Sequence, residues 1–158
     1  MCDEILLRSN LVTAVQLGVA RSLQAREGGA LTECLVRIDA VDETALVEAL
    51  ASALFLPTAT TAELAAVDAD LMKLLPAELI IELRVVPIAV DGDLLTVAFA
   101  DPSDERAVAE VAFFAGQDIA RAVAPPTGIR AVLERMFGIR VLSQLRPIAS
   151  RVALAASR

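Results

Sequence analysis

Apolar residues recur at helical spacing through the first third of the chain, and the same pattern returns 29 residues later. LLRSNLVTAVQLGVA (Leu6 to Ala20) overlays LVRIDAVDETALVEA (Leu35 to Ala49), with Leu6/Leu35, Arg8/Arg37, Val12/Val41, Leu17/Leu46 and Ala20/Ala49 coinciding. A repeat of this period marks one supersecondary unit used twice. In each copy a short apolar turn leads to Asn10 or Asp39, then an apolar pair, then Thr13 or Asp42 placed to cap a longer helix. Asn and Asp tolerate the left-handed backbone that ends one helix before the next begins. Leu46, Ala49, Leu50, Ala53 and Leu54 fall on one face of the second long helix. The pattern predicts a small helical bundle.

From Leu56 the pattern changes. Leu56 to Ala69 reads as a connection, Asp68 caps a helix through Leu75, and Pro76 starts another short helix. RVVPIAV (Arg84 to Val90) and LLTVAFA (Leu94 to Ala100) alternate as strands around Asp91-Gly92-Asp93, where Gly92 supplies the positive φ of a tight hairpin turn. Pro87 cannot donate to a ladder, which places its strand at an edge or a bulge. A helix over about Pro102 to Phe114, a short strand over Asp118 to Ala124 and a helix over Thr127 to Phe137 complete a β-β-α-β-α order. The predicted class is therefore α+β: a helical repeat over 1–56, an α/β subdomain over 57–138 and a tail over 139–158. At the acidic corner before the third helix, Asp101 reads as the N-cap and Pro102 as the first helical residue, with Asp104 and Glu105 favoured by the helix dipole. A structural role thus accounts for every residue of a corner that could otherwise be taken for a catalytic site.

Composition narrows the chemistry. Of 158 residues 56% are hydrophobic, yet only five are aromatic, so the core is aliphatic. The absence of histidine removes the commonest general base and metal ligand. A single lysine, Lys73, and no GxxxxGK[ST] exclude a P-loop nucleotidase. Cys2 and Cys34 form no metal or disulfide pattern, and Cys34 reads as a buried structural thiol. No catalytic residue, metal or cofactor is expected. A net charge of −7 with neither Tyr nor Trp argues against nucleic acid as a partner. The uncharged runs are too short to span a membrane and the start lacks secretory-signal features, so the cytoplasm is the expected compartment.

The charge is unevenly spread. Residues 1–129 carry eight basic and twenty acidic side chains, whereas 130–158 carry six arginines against Glu134. The tail mixes Ile139, Val141, Leu142, Leu145, Ile148, Val152 and Leu154 with Arg140, Arg146, Arg151 and Arg158. Arg140, Leu142, Leu145, Arg146 and Arg151 are its candidate contact residues, either for a partner or anionic surface or, folded back, for the acidic body.

LFLP at Leu54 to Pro57, LMKLLPAEL, RVVPIAVDGDLLTVAFADPSDERAVAEVAFFAG and IRAVLERMFG together resemble the N-terminal (MshEN, or GspE N-terminal) domain of type II secretion and type IV pilus assembly ATPases. The resemblance covers about Leu6 to Gly138. It implies helices followed by a small α/β part, with the ATPase domain lying C-terminal in the family and beyond these 158 residues. It further implies a non-catalytic, stand-alone interaction module that docks to an assembly ATPase or an inner-membrane platform component. Many members bind cyclic di-GMP through two copies of an RLG-initiated motif. Here the apolar frame persists, while the two RLG positions hold Met1-Cys2-Asp3 and Ala30-Leu31-Thr32, and the two glycines become Asn10 and Asp39. Gln24 remains, Ala53 stands in the other glutamine position, and Arg21 replaces a leucine. Two lost arginine contacts at about 1.5 to 3 kcal/mol each would weaken a ligand roughly 10² to 10⁴-fold. The expectation is no physiological cyclic di-GMP binding. The alternative is a receptor with a remodelled site, using Arg8, Leu17, Arg21, Gln24, Arg37 and Leu46.

Overall fold

A computed structural model describes residues 2–138. Two helix pairs open the chain, α1 (Cys2–Arg8) with α2 (Ala14–Glu27), then α3 (Leu31–Arg37) with α4 (Glu43–Leu54). Both short helices have seven residues, and the duplication extends to single hydrogen bonds. Asn10 N–H donates to Leu7 O and Leu11 N–H to Leu6 O, as Asp39 N–H does to Val36 O and Ala40 N–H to Leu35 O. Asn10 (φ 57°) and Asp39 (φ 59°) occupy the left-handed region at equivalent places. Thr13 caps α2 in a reciprocal box with Gln16, and Asp42 caps α4 through Ala45 N–H. Packing of α1 on α4 and of α2 on α3 buries Leu6, Leu17, Ala20, Leu35, Leu46 and Leu50 in one cluster.

Three short helices follow, α5 (Thr61–Ala65), α6 (Ala69–Met72) and α7 (Ala77–Leu83). The first lies in the stretch expected to be a plain connection. Thr60 and Glu63 exchange backbone N–H bonds at 3.0 Å each, and this capping box nucleates a single turn whose Leu64 reaches the core. Strand β1 (Val85–Asp91) turns through Gly92 (φ 59°) into β2 (Leu94–Phe99), with which it pairs antiparallel. The pairing slips between Pro87 and Ala89, where the proline has no N–H to give. Helix α8 (Glu105–Ala115) then crosses to β3 (Asp118–Val123), parallel to β2, and α9 (Pro126–Phe137) closes the layer. Sheet order is β1-β2-β3, with β2 central; the far side of β3 is met at Val123 by Pro57 to Ala59. Val85, Val86, Leu95, Val97, Phe99, Ile129 and Leu133 form the heart of the second apolar cluster.

The acidic corner differs from the sequence expectation. Asp104, not Asp101, is the N-cap of α8, accepting from Ala107 N–H at 3.2 Å. Asp101 instead accepts from both the N–H (3.1 Å) and the hydroxyl (2.5 Å) of Ser103, an Asx turn that carries Pro102 outside the helix. Two acids three residues apart each satisfy the cap pattern, and the turn chemistry of the first leaves the second to cap.

The two clusters are joined by polar contacts in a region that excludes water. Glu33 on α3, only 5% exposed at its side chain, pairs with Arg84 Nε at 2.8 Å. Arg84, held left-handed at φ 56° after α7, also donates to Ile81 O, and Arg130 on α9 approaches the same carboxylate at 4.0 Å. Next to Glu33, the hydroxyl of Thr32 donates to Ala100 O at 2.8 Å. Nearby, Gly29 takes a positive φ of 87° that strains any L side chain, and a Cβ there would lie 2.8 Å from Glu33 Oε1, forcing the carboxylate to shift.

Removing one member of a buried pair leaves the other charge without compensation. Glu33→Ala is therefore expected to lower unfolding free energy by about 3 to 5 kcal/mol, and the double variant with Arg84→Met to recover part of that loss; urea denaturation of both checks it. A second expectation concerns Asp101, whose carboxyl is held above its ordinary pKa by burial, only partly offset by the Ser103 hydrogen bonds. The native state then keeps this proton to higher pH than the unfolded chain. Its stability contribution declines as pH rises from about 4 through the folded value. Asp101→Asn preserves an acceptor for Ser103 and should match or exceed the parent stability at pH 7, with the advantage vanishing toward pH 3. Denaturation across that range reads the sign directly.

Candidate functional site

A cleft of about 310 Å³ opens where the repeat meets the acidic corner. Arg21 and Gln24 from α2 reach it from one side, Cys2 and Asp3 from α1, and Asp101, Ser103 and Asp104 from the loop that precedes α8. The cleft therefore gathers two of the sequence-selected ligand candidates with a set of carboxylates. Arg21 is engaged: its Nη2 meets Asp3 Oδ2 at 2.5 Å, with both side chains partly exposed. Gln24 donates to Gly29 O at 3.1 Å, turning its amide toward the loop between the two repeat units.

The remaining candidates lie elsewhere. Arg37, at the end of α3, pairs with Glu27 of α2 at 2.8 Å and is 42% exposed. Arg8 occupies the matching end of α1 and faces solvent. Leu17 and Leu46 are buried on the inner stripes of the long helices, where they hold the repeat together. Asn10, Asp39 and Asp42 shape the turns, Gly92 the hairpin, and Pro102 the corner, whose carbonyl accepts from Arg121 at 2.6 Å. Arg140, Leu142, Leu145, Arg146 and Arg151 lie outside the described residues.

Nucleophilic chemistry is poorly served. Burial, followed by Asp101, raises the Cys2 thiol, and burial with Glu33 pushes Cys34 up to about 11, so both are protonated at neutral pH. Among the described residues no group of three or more acidic or sulfur ligands could hold a metal ion, and no helix is long and apolar enough to cross a membrane. Sequence reasoning passed over Asp3 as a partner for Arg21. The signal was the charge pair at i and i+18, which only the packing of α1 against the repeat turns into a contact.

Comparison with known proteins identifies relatives of this fold. Residues 56–141 match the MshEN domain. The chain is 33% identical over 134 residues to the type IV pilus assembly ATPase PilB of Myxococcus xanthus, covering 85% of this chain and 24% of that protein, so it spans about a quarter of its curated relative. Among solved structures, MshE with cdg (cyclic di-GMP) aligns over 87% of this chain and 99% of that one, at 28% identity and a TM-score of 0.60. The N-terminal domain of XpsE aligns over 84% and 91% respectively, at 26% identity and 0.58. The MshE match overturns the expectation that cyclic di-GMP is no partner: the fold that carries the ligand there is kept here nearly end to end. Position-by-position loss of the RLG residues was insufficient ground for exclusion, because a dianion is held by cations in space and not by their places in a motif. The chain belongs to the MshEN domain family, the non-catalytic N-terminal module type of secretion and pilus-assembly ATPases.

Proposed function

We propose that this chain is a cyclic-dinucleotide receptor module with a remodelled cation set, in which Arg21 at the cleft and Arg37 outside it, at the end of α3, take the two phosphates. The observation that carries the reading is the duplicated helix pair, repeated to individual backbone hydrogen bonds and alignable over 87% of the chain with MshE in its cdg-bound structure. A cyclic dinucleotide presents two singly charged phosphodiesters, which suit two guanidinium groups, here one from each unit at non-equivalent places in the repeat, since Arg37 corresponds to Arg8 and Arg21 to Leu50.

The state of those cations supports the reading. Arg21 and Arg37 are each held by a partly exposed carboxylate, Asp3 and Glu27. Such surface pairs contribute about 0 to 1 kcal/mol and exchange readily for a better anion. Arg84, by contrast, is locked to buried Glu33 and is not available. Gln24, beside Arg21, has the donor and acceptor needed at a guanine edge. The acids at the rim, Asp3 and Asp104 above all, oppose a dianion and set the affinity below that of a site without them.

The relation to the type IV pilus assembly ATPase PilB, of which the match covers 24%, supports a second role for the same module. We infer that its output is a protein contact with an assembly ATPase or platform component in the cytoplasm.

Calorimetry with cyclic di-GMP tests the receptor. The expected result is saturable binding, weakened roughly 10-fold or more by Arg21→Ala and by Arg37→Ala, since each removes a charged hydrogen bond of about 1.5 to 3 kcal/mol. Asp3→Asn should strengthen binding by up to about 5-fold, the equivalent of the surface pair it releases. A folded protein that gives neither heat nor a melting shift at millimolar cyclic di-GMP would reject the reading.

A further inference from the structure

Helices α7 and α8 line a groove of about 530 Å³ that shares no lining residue with the cleft that holds Arg21. Its apolar lining is Leu79 with two adjacent rings, Phe113 and Phe114, which stand edge to face at 5.3 Å. Phe113 is 79% exposed and Phe114 52%, in a chain that has only five aromatic residues. Aromatic surface of this kind, in one continuous patch, marks a contact site. The rim carries Glu78, Glu82 and Glu110 against one cation, Arg106, so an occupant must be apolar on one side and basic on the other.

Residues 139–158 have that chemistry. They contain Arg140, Arg146, Arg151 and Arg158, no acid, and seven large aliphatic residues. They also start in the right place. Met136 and Phe137, at the end of α9, line a hollow with Leu75 and Ala77, and Pro76 between those two lines the groove itself. Twenty residues reach about 30 Å even as a helix, so the groove is within span. A second copy is a poorer occupant, because two identical acidic rims would face one another.

We propose that residues 139–158 dock into the α7–α8 groove of their own chain, the aliphatic residues covering Phe113 and Phe114 and the arginines facing the three glutamates. This does not rest on the dinucleotide reading. The test uses the full chain with Phe113→p-benzoylphenylalanine, irradiated and digested for mass spectrometry. The expected product is a crosslink to a peptide from 139–158 in the monomeric band, unchanged on ten-fold dilution. It should fall at least 10-fold when Glu78, Glu82 and Glu110 are all changed to Lys. It should fall equally with Arg140→Glu, Arg146→Glu and Arg151→Glu together, which leaves residues 2–138 untouched. Crosslinks between two copies, crosslinks to any other segment, no crosslink, or indifference to the tail charge reversal would each overturn the proposal.

Discussion

The carboxylate of Glu33 sits almost out of solvent where the helical repeat meets the sheet layer, and several otherwise odd local choices exist to accommodate it. A side chain at Gly29 would displace the Glu33 carboxylate, and Arg84 accepts a left-handed backbone that brings its Nε onto the same carboxylate. Strand β1 begins at the next residue, so the pair also decides where the sheet starts relative to α3. Ala100 N–H donates to Arg84 O and Thr32 donates to Ala100 O, which closes a ring of polar contacts around the junction. A charge buried in this way adds little net stability compared with an apolar replacement, but it penalises any other docking of the two halves. The two clusters could each be built from Leu, Val and Ile in many relative arrangements. This ring selects one.

Much of that architecture was readable before any coordinates. The 29-residue repeat already contained both helix pairs, because Asn10 and Asp39 stop the short helices and Thr13 and Asp42 start the long ones through local chemistry alone. Asp-Gly-Asp likewise set the hairpin. Where reading failed, the local signals were ambiguous or were overlooked. Asp101 and Asp104 compete for one cap, and Ser103 decides between them; Thr60 with Glu63 spells a capping box inside a stretch whose Pro57 and Thr58 otherwise read as a connection.

The candidate site was legible only in fragments. Arg21 and Gln24 could be picked out by their places in the repeat, yet Asp101 joins them from some eighty residues away and Asp3 from the preceding helix. Local patterns carry no information about such meetings. The exclusion of cyclic di-GMP failed for the related reason that counting motif residues ignores which cations the frame can still present. Here the arginines divide by environment: Arg84 is committed to the interior, while Arg21 and Arg37 sit in exchangeable surface pairs.

Helix α9 begins at Pro126, and its N-cap, Pro125, offers no side-chain hydrogen bond; Thr127 instead donates its N–H (2.9 Å) and hydroxyl (2.5 Å) to Glu43, in the first turn of α4. Arg135, near its other end, grips the carbonyls of Leu64, Ala65 and Val67. The helix, about 18 Å long, is thus fastened at both ends, at its start to the repeat through Glu43 and near its finish to α5 and the turn after it through Arg135. The position of Gly138 is therefore set jointly by the repeat and by the α5 turn, with Ile129 and Leu133 holding the helix between them against the sheet.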